Sequence, residues 1–376
     1  MKKQLKVIDY LNSGKSLNDL LEEHFVDSNV GKDGKFSLNY NQIKASNLDE
    51  IANECRGLIV RVENNKYVPV AIPFYRFFNY GQGAASISSV EEILNSTIYE
   101  KLDGTLGILH YDHFTNEWNV ATRSVCDASI ANGFNKTFRQ IFEICLKDIS
   151  FDDFTSKCEK HITYMFEILS PWNQVVVLHE EPKLILLGAR NNITLEEYDI
   201  NCIDLPVEKP NTYKFSTWQE LSDYLESRPA SIAEGFVVMT KDFKRVKIKS
   251  LNYVNAHRIS SNVGSSERNM LEAILNNCED DLEPIIPKYI FEELMVMKSK
   301  YIVIMNSILL AYEDVIKSTD SSNKKEVALY INSKYEKQKH FLFSIIKNGS
   351  YDAFIKSAKK DGGFTKSFLD SFLEQF

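Results

Sequence analysis

Lys101 sits in Tyr99-Glu100-Lys101-Leu102-Asp103-Gly104-Thr105, at the end of an expected strand. A Lys-x-Asp-Gly turn offers an amine beside a glycine, where an anion such as phosphate can approach the backbone closely. That is suitable chemistry for a lysine nucleophile attacking a nucleoside triphosphate. It is equally the pattern of a solvated lysine before an Asp-Gly turn.

Other residues share that ambiguity. Lys247 and Lys249 flank Ile248 on an expected strand, so both emerge on one face while Val246 and Ile248 take the other. Such a pair suits either phosphate oxygens or plain solvent. Glu167 interrupts the apolar run Tyr164–Leu169, and Glu234 opens Glu234-Gly235-Phe236-Val237-Val238. A carboxylate buried without a partner costs several kcal/mol, so each needs an ion pair or a ligand hydroxyl. Arg56, in Glu54-Cys55-Arg56-Gly57, suits phosphate oxygens or a salt bridge to Glu54.

The elements that must position these residues change character near residue 250. Before it, Cys55–Val62 and Lys66–Ile72 read as a hairpin across Glu63-Asn64-Asn65, and Thr105–Tyr111 with Trp118–Arg123 as a second. Ile130, Phe134, Phe138, Ile141, Phe142 and Cys145 recur at helical spacing. His161–Leu169, Val175–Leu178, Lys183–Arg190, Ala233–Thr240 and Arg245–Lys249 read as strands, with a helix over Thr217–Glu226. Beyond residue 250, Tyr289–Tyr312 and Lys325–Ile346 carry long helical stripes, and Gly349, Gly362 and Gly363 mark breaks. The expected fold class is α+β: a first domain over 1–250, then a smaller all-helical domain over 251–376.

Composition bounds the rest. With 376 residues, 44% hydrophobic and 26% charged, the chain suits two globular domains. Six cysteines are scattered without a Cys-x-x-Cys pair, and seven histidines show no zinc spacing. No apolar run approaches the roughly 20 residues of a membrane span, and the first residues lack a signal-peptide block. The protein is expected to stay in the cytoplasm, with no membrane partner. A net charge of −8 excludes a globally basic coat, yet Lys324–Lys360 carries a local balance of +6. That segment is either a solvated helix face or a footprint for a phosphate backbone. Ser13-Gly14-Lys15-Ser16 lacks the first glycine of a P-loop, and Gly81-Gln82-Gly83 lacks a βαβ context; both read as turns.

Taken in order, Glu54-Cys55-Arg56-Gly57, Lys101-Leu102-Asp103-Gly104, Phe166-Glu167-Ile168, Leu184–Leu187, Glu234-Gly235-Phe236 and Lys247-Ile248-Lys249 resemble the covalent nucleotidyltransferases, the ATP-dependent ligases and mRNA capping enzymes. Arg76-Phe77-Phe78-Asn79, Ser170-Pro171 and Lys247-Ile248-Lys249-Ser250 make the likeness greatest to the RNA ligase 1 type of bacteriophage T4, over about residues 50–260.

That resemblance implies a nucleotidyltransferase domain of antiparallel sheets and flanking helices. It implies that Lys101 attacks the α-phosphorus of ATP and holds AMP, with Glu100 against the adenine and Glu167 on the ribose. Lys247 and Lys249 would contact the α-phosphate, and Glu234 would lie near the nucleotide and a metal. Arg56 and Arg76 would hold the triphosphate tail, Arg123 would contact it too, and Phe78 would pack near the nucleoside. Gly104 would permit the close approach. Magnesium is implied, with manganese able to replace it, and the partner would be RNA with 5′-phosphate and 3′-hydroxyl ends, such as nicked tRNA, bound by a monomer. The chain departs from the pattern at Leu102, often acidic, at Thr105, commonly serine, and at Arg76, usually lysine. Two other readings remain: a DNA ligase or GTP-using capping enzyme, and a non-catalytic RNA-binding protein on a ligase scaffold.

Overall fold

The computed structural model describes residues 4–42, 44–128, 135–250, 252–254, 257, 267–275, 282, 286–320, 323–360, 363–364 and 366–374. The chain divides into two compact units, Met1–Ala256 and His257–Phe376.

The first unit holds three sheets. Strands β1 (Val26–Val30), β2 (Lys35–Tyr40), β3 (Arg56–Glu63) and β4 (Lys66–Ala71) form an antiparallel meander. Its β3–β4 turn places Asn64 and Asn65 both at positive φ, the twist a two-residue hairpin favours. Helices Lys6–Asn12 and Leu17–Glu23 cover this sheet with Val7, Ile8, Leu11 and Leu20. Ser13 and Gly14 link them, and Ser16 caps the second helix, so the P-loop-like stretch is a turn.

Strands β5 (Phe78–Asn79), β6 (Thr97–Lys101), β7 (Thr105–Asp112), β8 (Glu117–Thr122), β9 (Ile162–Leu169), β10 (Lys183–Asn191), β11 (Glu197–Tyr198), β12 (Thr212–Tyr213), β13 (Gly235–Met239) and β14 (Arg245–Lys249) build the other two sheets. One runs β11-β10-β9-β7-β8, the other β12-β6-β13-β14-β5. Pairing is antiparallel except between β14 and β5, which is parallel.

Each five-stranded sheet buries one face under helices. Phe142, from Phe138–Cys145, meets Phe154 and Phe166 edge-on against the first. Leu221 and Leu225, from Trp218–Glu226, pack with Phe236, Val238, Val246 and Ile248 of the second. Strict alternation then turns Arg245, Lys247 and Lys249 to the opposite face. A buried carboxylate fixes this register: Glu197 on β11 binds Arg190 on β10 and Arg245 on β14, the latter at 2.6 Å.

The second unit is helical around Lys288–Ser318, whose Leu294, Met297, Met305, Ile308, Ala311 and Val315 form the inward stripe. Four expectations need correction. Val175–Leu178 is a loop, because its amides bond to a side chain rather than to a strand. The expected helix Lys325–Ile346 is two, Lys324–Lys334 and Lys339–Asn348. The Tyr330 and Tyr335 hydroxyls and the Lys334 amine converge on Asp314 at 2.7–2.9 Å, a polar clasp that apolar periodicity does not register. The unit is not all helix, since Lys359–Lys360 pairs with Gly363–Phe364. Finally, Lys288–Ser318 is long and apolar enough to cross a membrane by length and composition, although lysines interrupt the run in sequence. Gly349 ends its helix at φ +82 as expected, whereas residues 130, 134 and 362 lie outside the described residues.

Gly235 is the backbone position with least freedom. Its φ is +147, and a Cβ there would collide with the Ile248 carbonyl. Gly235→Ala should therefore cost about 2 kcal/mol or more. Gly14→Ala, at φ +97 but facing open space, should cost about 1 kcal/mol from backbone strain alone. Thermal unfolding of the two variants against the unaltered protein checks the order.

Candidate active site

Strand register brings the two ends of the sequence pattern together. Gly235 on β13 lies opposite Lys101 on β6 and opposite Lys249 on β14. Glu234, one residue earlier and 3% exposed, reaches both amines. Lys101 Nζ donates to Glu234 Oε2 at 2.6 Å, and Lys249 Nζ lies 2.7 Å from Oε1. Lys247 emerges on the same face, its Nζ 4.7 Å from the centre of the Phe77 ring, which Arg56 also approaches at 5.4 Å. Burial, reinforced by Arg56, Lys101 and Lys249, lowers the Lys247 pKa to about 7.

Glu167 projects from β9 into the same space. Its Oε1 accepts the Gly104 N–H at 3.1 Å. Burial pushes its pKa up to about 7 against the pull of Lys101, with Glu234 adding to the rise. Gly104 is required here for a different reason from the one expected: a Cβ would collide with the Ile168 carbonyl, so the close approach is between two protein backbones.

The Lys101 turn is gripped from several sides. Asp103 Oδ2 accepts the Val176 and Val177 amides at 2.8 and 2.7 Å, and Oδ1 accepts the Tyr253 hydroxyl at 2.7 Å. His179 Nε2 lies 2.9 Å from the Asp103 carbonyl. Asn173 donates to Thr105 Oγ1 and to the Ile168 carbonyl. Sequence reasoning gave these residues no role. The one available signal was Asp103 itself, an acidic residue fixed beside the candidate nucleophile.

A cavity of about 250 Å³ lies between the two five-stranded sheets, lined by Lys101, Lys247, Lys249, Glu167, Arg56 and Arg123 among others. Glu100 stands on its wall, bonded through its carboxylate to Asn211 Nδ2 at 2.7 Å. Phe74, Leu106, Leu187 and Met239 supply an apolar surface. Arg76 and Phe78 do not line it. Arg76 stacks over Tyr40 at 4.2 Å and over Phe78 at 5.0 Å, and the cavity aromatic beside the cations is Phe77 rather than Phe78. Arg123 lies 4.8 Å from the same Tyr40 ring. Glu54 does not pair with Arg56; it accepts the Val7 amide at 2.9 Å. The arrangement therefore offers three amines and the arginines Arg56, Arg123 and Arg245 around an apolar-walled slot, which suits a nucleotide with its phosphates at the lysine end.

The profile of the T4 RNA ligase 1 type, described as RNA ligase, matches residues 54–253. A protein of Autographa californica nuclear polyhedrosis virus, named as a bifunctional polynucleotide kinase/RNA ligase, is 29% identical over 66% of this chain and 37% of its own length. This chain thus spans well under half of that relative. An RNA ligase of Rhodothermus phage RM378 is 24% identical over 70% of this chain and 72% of its own. An archaeal ATP-dependent RNA ligase covers 98% of each chain at 11% identity and a TM-score of 0.46. The match spans more than half of the sequence, and the chain belongs to the RNA ligase family of the T4 RNA ligase 1 type.

The raised Glu167 pKa has a consequence for stability. Between its ordinary value of 4.5 and about 7 the folded state binds more protons at this carboxyl than the unfolded chain does, so its contribution falls as pH rises through that window. Glu167→Gln should remove that dependence. The gap in melting temperature between variant and unaltered protein should move in the variant's favour by several degrees from pH 5 to pH 7. A gap that stays constant in thermal melts across that range would contradict the assignment.

Proposed function

We propose that this chain is an ATP-dependent RNA ligase that joins RNA 5′-phosphate and 3′-hydroxyl ends through a lysyl-AMP intermediate. The observation that carries this reading is the Lys101 amine, held by Glu234 at 2.6 Å in a cavity it shares with Lys247 and Lys249. In the first step Lys101 Nζ attacks the α-phosphorus of ATP and pyrophosphate leaves. Lys247 and Lys249 face the oxygens on which charge develops, and Arg56 and Arg123 serve the triphosphate tail. The apolar wall takes the adenine with Glu100 at its edge, and Glu167 receives a ribose hydroxyl. Arg76 acts on the tail from outside the cavity, through the Tyr40 stack it shares with Arg123.

In the second step AMP passes to the RNA 5′-phosphate; in the third the 3′-hydroxyl displaces AMP. Among the described residues no three His, Cys, Asp or Glu side chains converge as a metal cage. That suits magnesium, or manganese in its place, carried by phosphate oxygens and water. Glu234 is the carboxylate the site can offer it.

In the second unit, Lys324, Lys325, Lys337, Lys339 and Lys347 are exposed, while Lys334 is engaged by Asp314; the side chains of Lys356, Lys359 and Lys360 lie outside the described residues. We assign this surface to a structured RNA such as a broken tRNA loop, bound by a monomer. Cys55, Cys126, Cys145, Cys158 and Cys202 are free thiols, which fits action in the reducing cytoplasm.

Incubation with α-labelled ATP and a divalent cation should leave label on the denatured protein, and Lys101→Ala should carry none. Label from GTP alone would move the assignment to a capping activity, and no label from either to a binding protein. Neutralising Lys324, Lys325, Lys337 and Lys339 together should weaken RNA joining about tenfold or more while sparing enzyme labelling, because each lost phosphate contact acts on RNA affinity alone.

A further inference from the structure

Entering and leaving groups at a phosphorus undergoing displacement stand roughly in line. On the reading above, Lys101 Nζ holds one apex in both of the first two steps. It enters as pyrophosphate departs, and it departs as the RNA 5′-phosphate attacks. The opposite apex therefore serves pyrophosphate first and the RNA end second. Whatever cations receive the triphosphate tail must also receive the RNA 5′-phosphate, and the rest of that nucleotide needs space just beyond them.

The structure has such a space. Among the described residues, Arg56, Arg76 and Arg123 form no ion pair with a carboxylate. Arg76 and Arg123 stack on one Tyr40 ring, which spaces the two guanidiniums while leaving N–H edges for oxygens. Arg123 Nε and one terminal nitrogen of Arg56 are buried without a hydrogen-bond partner. Arg123 is held by neutral groups: with the Gln42 amide turned so that its oxygen faces the guanidinium, that oxygen accepts from both terminal nitrogens at 3.0 and 3.1 Å, and the Arg123 carbonyl accepts from Asn39 Nδ2. A second cavity, of about 320 Å³, opens on this side and shares Arg123 with the first. Amides and hydroxyls line it, and Asn39 Oδ1 is buried there with no partner. Its carboxylate, Asp27, is engaged by the Asn41 amide at 3.2 Å.

We propose that the cavity lined by Asn29, Asn39, Tyr40, Gln42 and Ser124 receives the 5′-terminal nucleotide of the RNA, with its phosphate on Arg123 at the shared wall. This assignment rests on the ligase reading above. A non-bridging oxygen of the RNA 5′-phosphate forms the new P–O bond, the P–N bond to Lys101 breaks, and the amine leaves with the bonding pair and takes a proton from solvent. Amide groups suit base edges and the 2′-hydroxyl, the groups by which single-stranded RNA is read. A volume of this size falls in the range of small-ligand sites, roughly 300–1,000 Å³.

The test uses the full chain and separates the two steps. Enzyme is first charged with α-labelled ATP, and the isolated enzyme–AMP is mixed with a 5′-phosphorylated oligoadenylate, a 5′-hydroxyl oligoadenylate serving as blank. Ser124→Tyr, which fills the cavity, and Asn29→Ala, which removes an amide from its lining, should each raise the RNA concentration for half-maximal AMP transfer about tenfold, the equivalent of one lost contact. The ATP concentration for half-maximal enzyme charging should move far less. An unchanged RNA dependence in both variants, with charging intact, overturns the cavity assignment alone. Should Ser124→Tyr lose both reactions, Asn29→Ala decides by the same criterion. Failure of the unaltered enzyme to become charged overturns this assignment together with the ligase reading.

Discussion

The site is organised by one buried carboxylate held between two amines. Glu234 is 3% exposed and would be costly to bury alone, but Lys101 and Lys249 engage one oxygen each. The pairing also solves a geometric problem. β6 and β14 are not neighbours; β13 lies between them, and Gly235 is paired with both lysines. Placing the carboxylate beside that glycine makes a single side chain the tie across three strands. Removing it would leave two cations beside Lys247 and Arg56 without their paired carboxylate, Glu167 alone remaining in the cavity wall near them.

Around that tie the charges are deliberately out of balance. Lys247 and Glu167 are both driven by burial toward a pKa of about 7, the lysine downward and the acid upward, so neither is comfortably ionised. A triphosphate changes this. Its oxygens would supply the negative charge that Lys247 and Arg56 lack, in an environment from which bulk water is largely excluded. The electrostatic cost of burying these groups would be relieved by the ligand the site is proposed to take, which is a physical reason for the cavity to prefer phosphates over neutral molecules.

How much of this was legible depended on whether a signal was periodic or long-range. β14 matched its expected span, and the one-face placement of Lys247 and Lys249 held, because alternation with buried Val246 and Ile248 is local information. The two hairpins were visible for the same reason. What alternation cannot carry is a side chain that replaces a strand partner. Val175–Leu178 reads as a strand, yet Asp103 captures the amides of Val176 and Val177 from a distance of more than 70 positions. The Asp314 clasp, made by side chains alone at the end of Lys324–Lys334, is likewise a contact from outside the helical stripe that periodicity does not carry. Phe77 and Phe78 are adjacent and chemically alike, so only the pairing of β5 with β14 decides which ring faces the cations.

The Asp103 contacts bear on how the nucleophile can act at all. Lys101 is bound to Glu234, and the proposed attack on phosphorus requires that this contact be given up and the lone pair turned toward the nucleotide. A loosely held turn would move as a whole when the ion pair opens. This turn has no such freedom: Asp103 is clamped by two amides and the Tyr253 hydroxyl, its carbonyl by His179, and Thr105 by Asn173. Tyr253 adds a second link, since its ring also lies 5.2 Å from the Lys249 amine. On the proposed reading, these contacts would confine motion on nucleotide binding to side-chain rotation of Lys101 and Lys249 about a fixed backbone. An amine that must swing only its own methylene chain from a carboxylate to a phosphorus can be aimed by the rigid strand ends beneath it, which is how a fold built for pairing comes to support transfer.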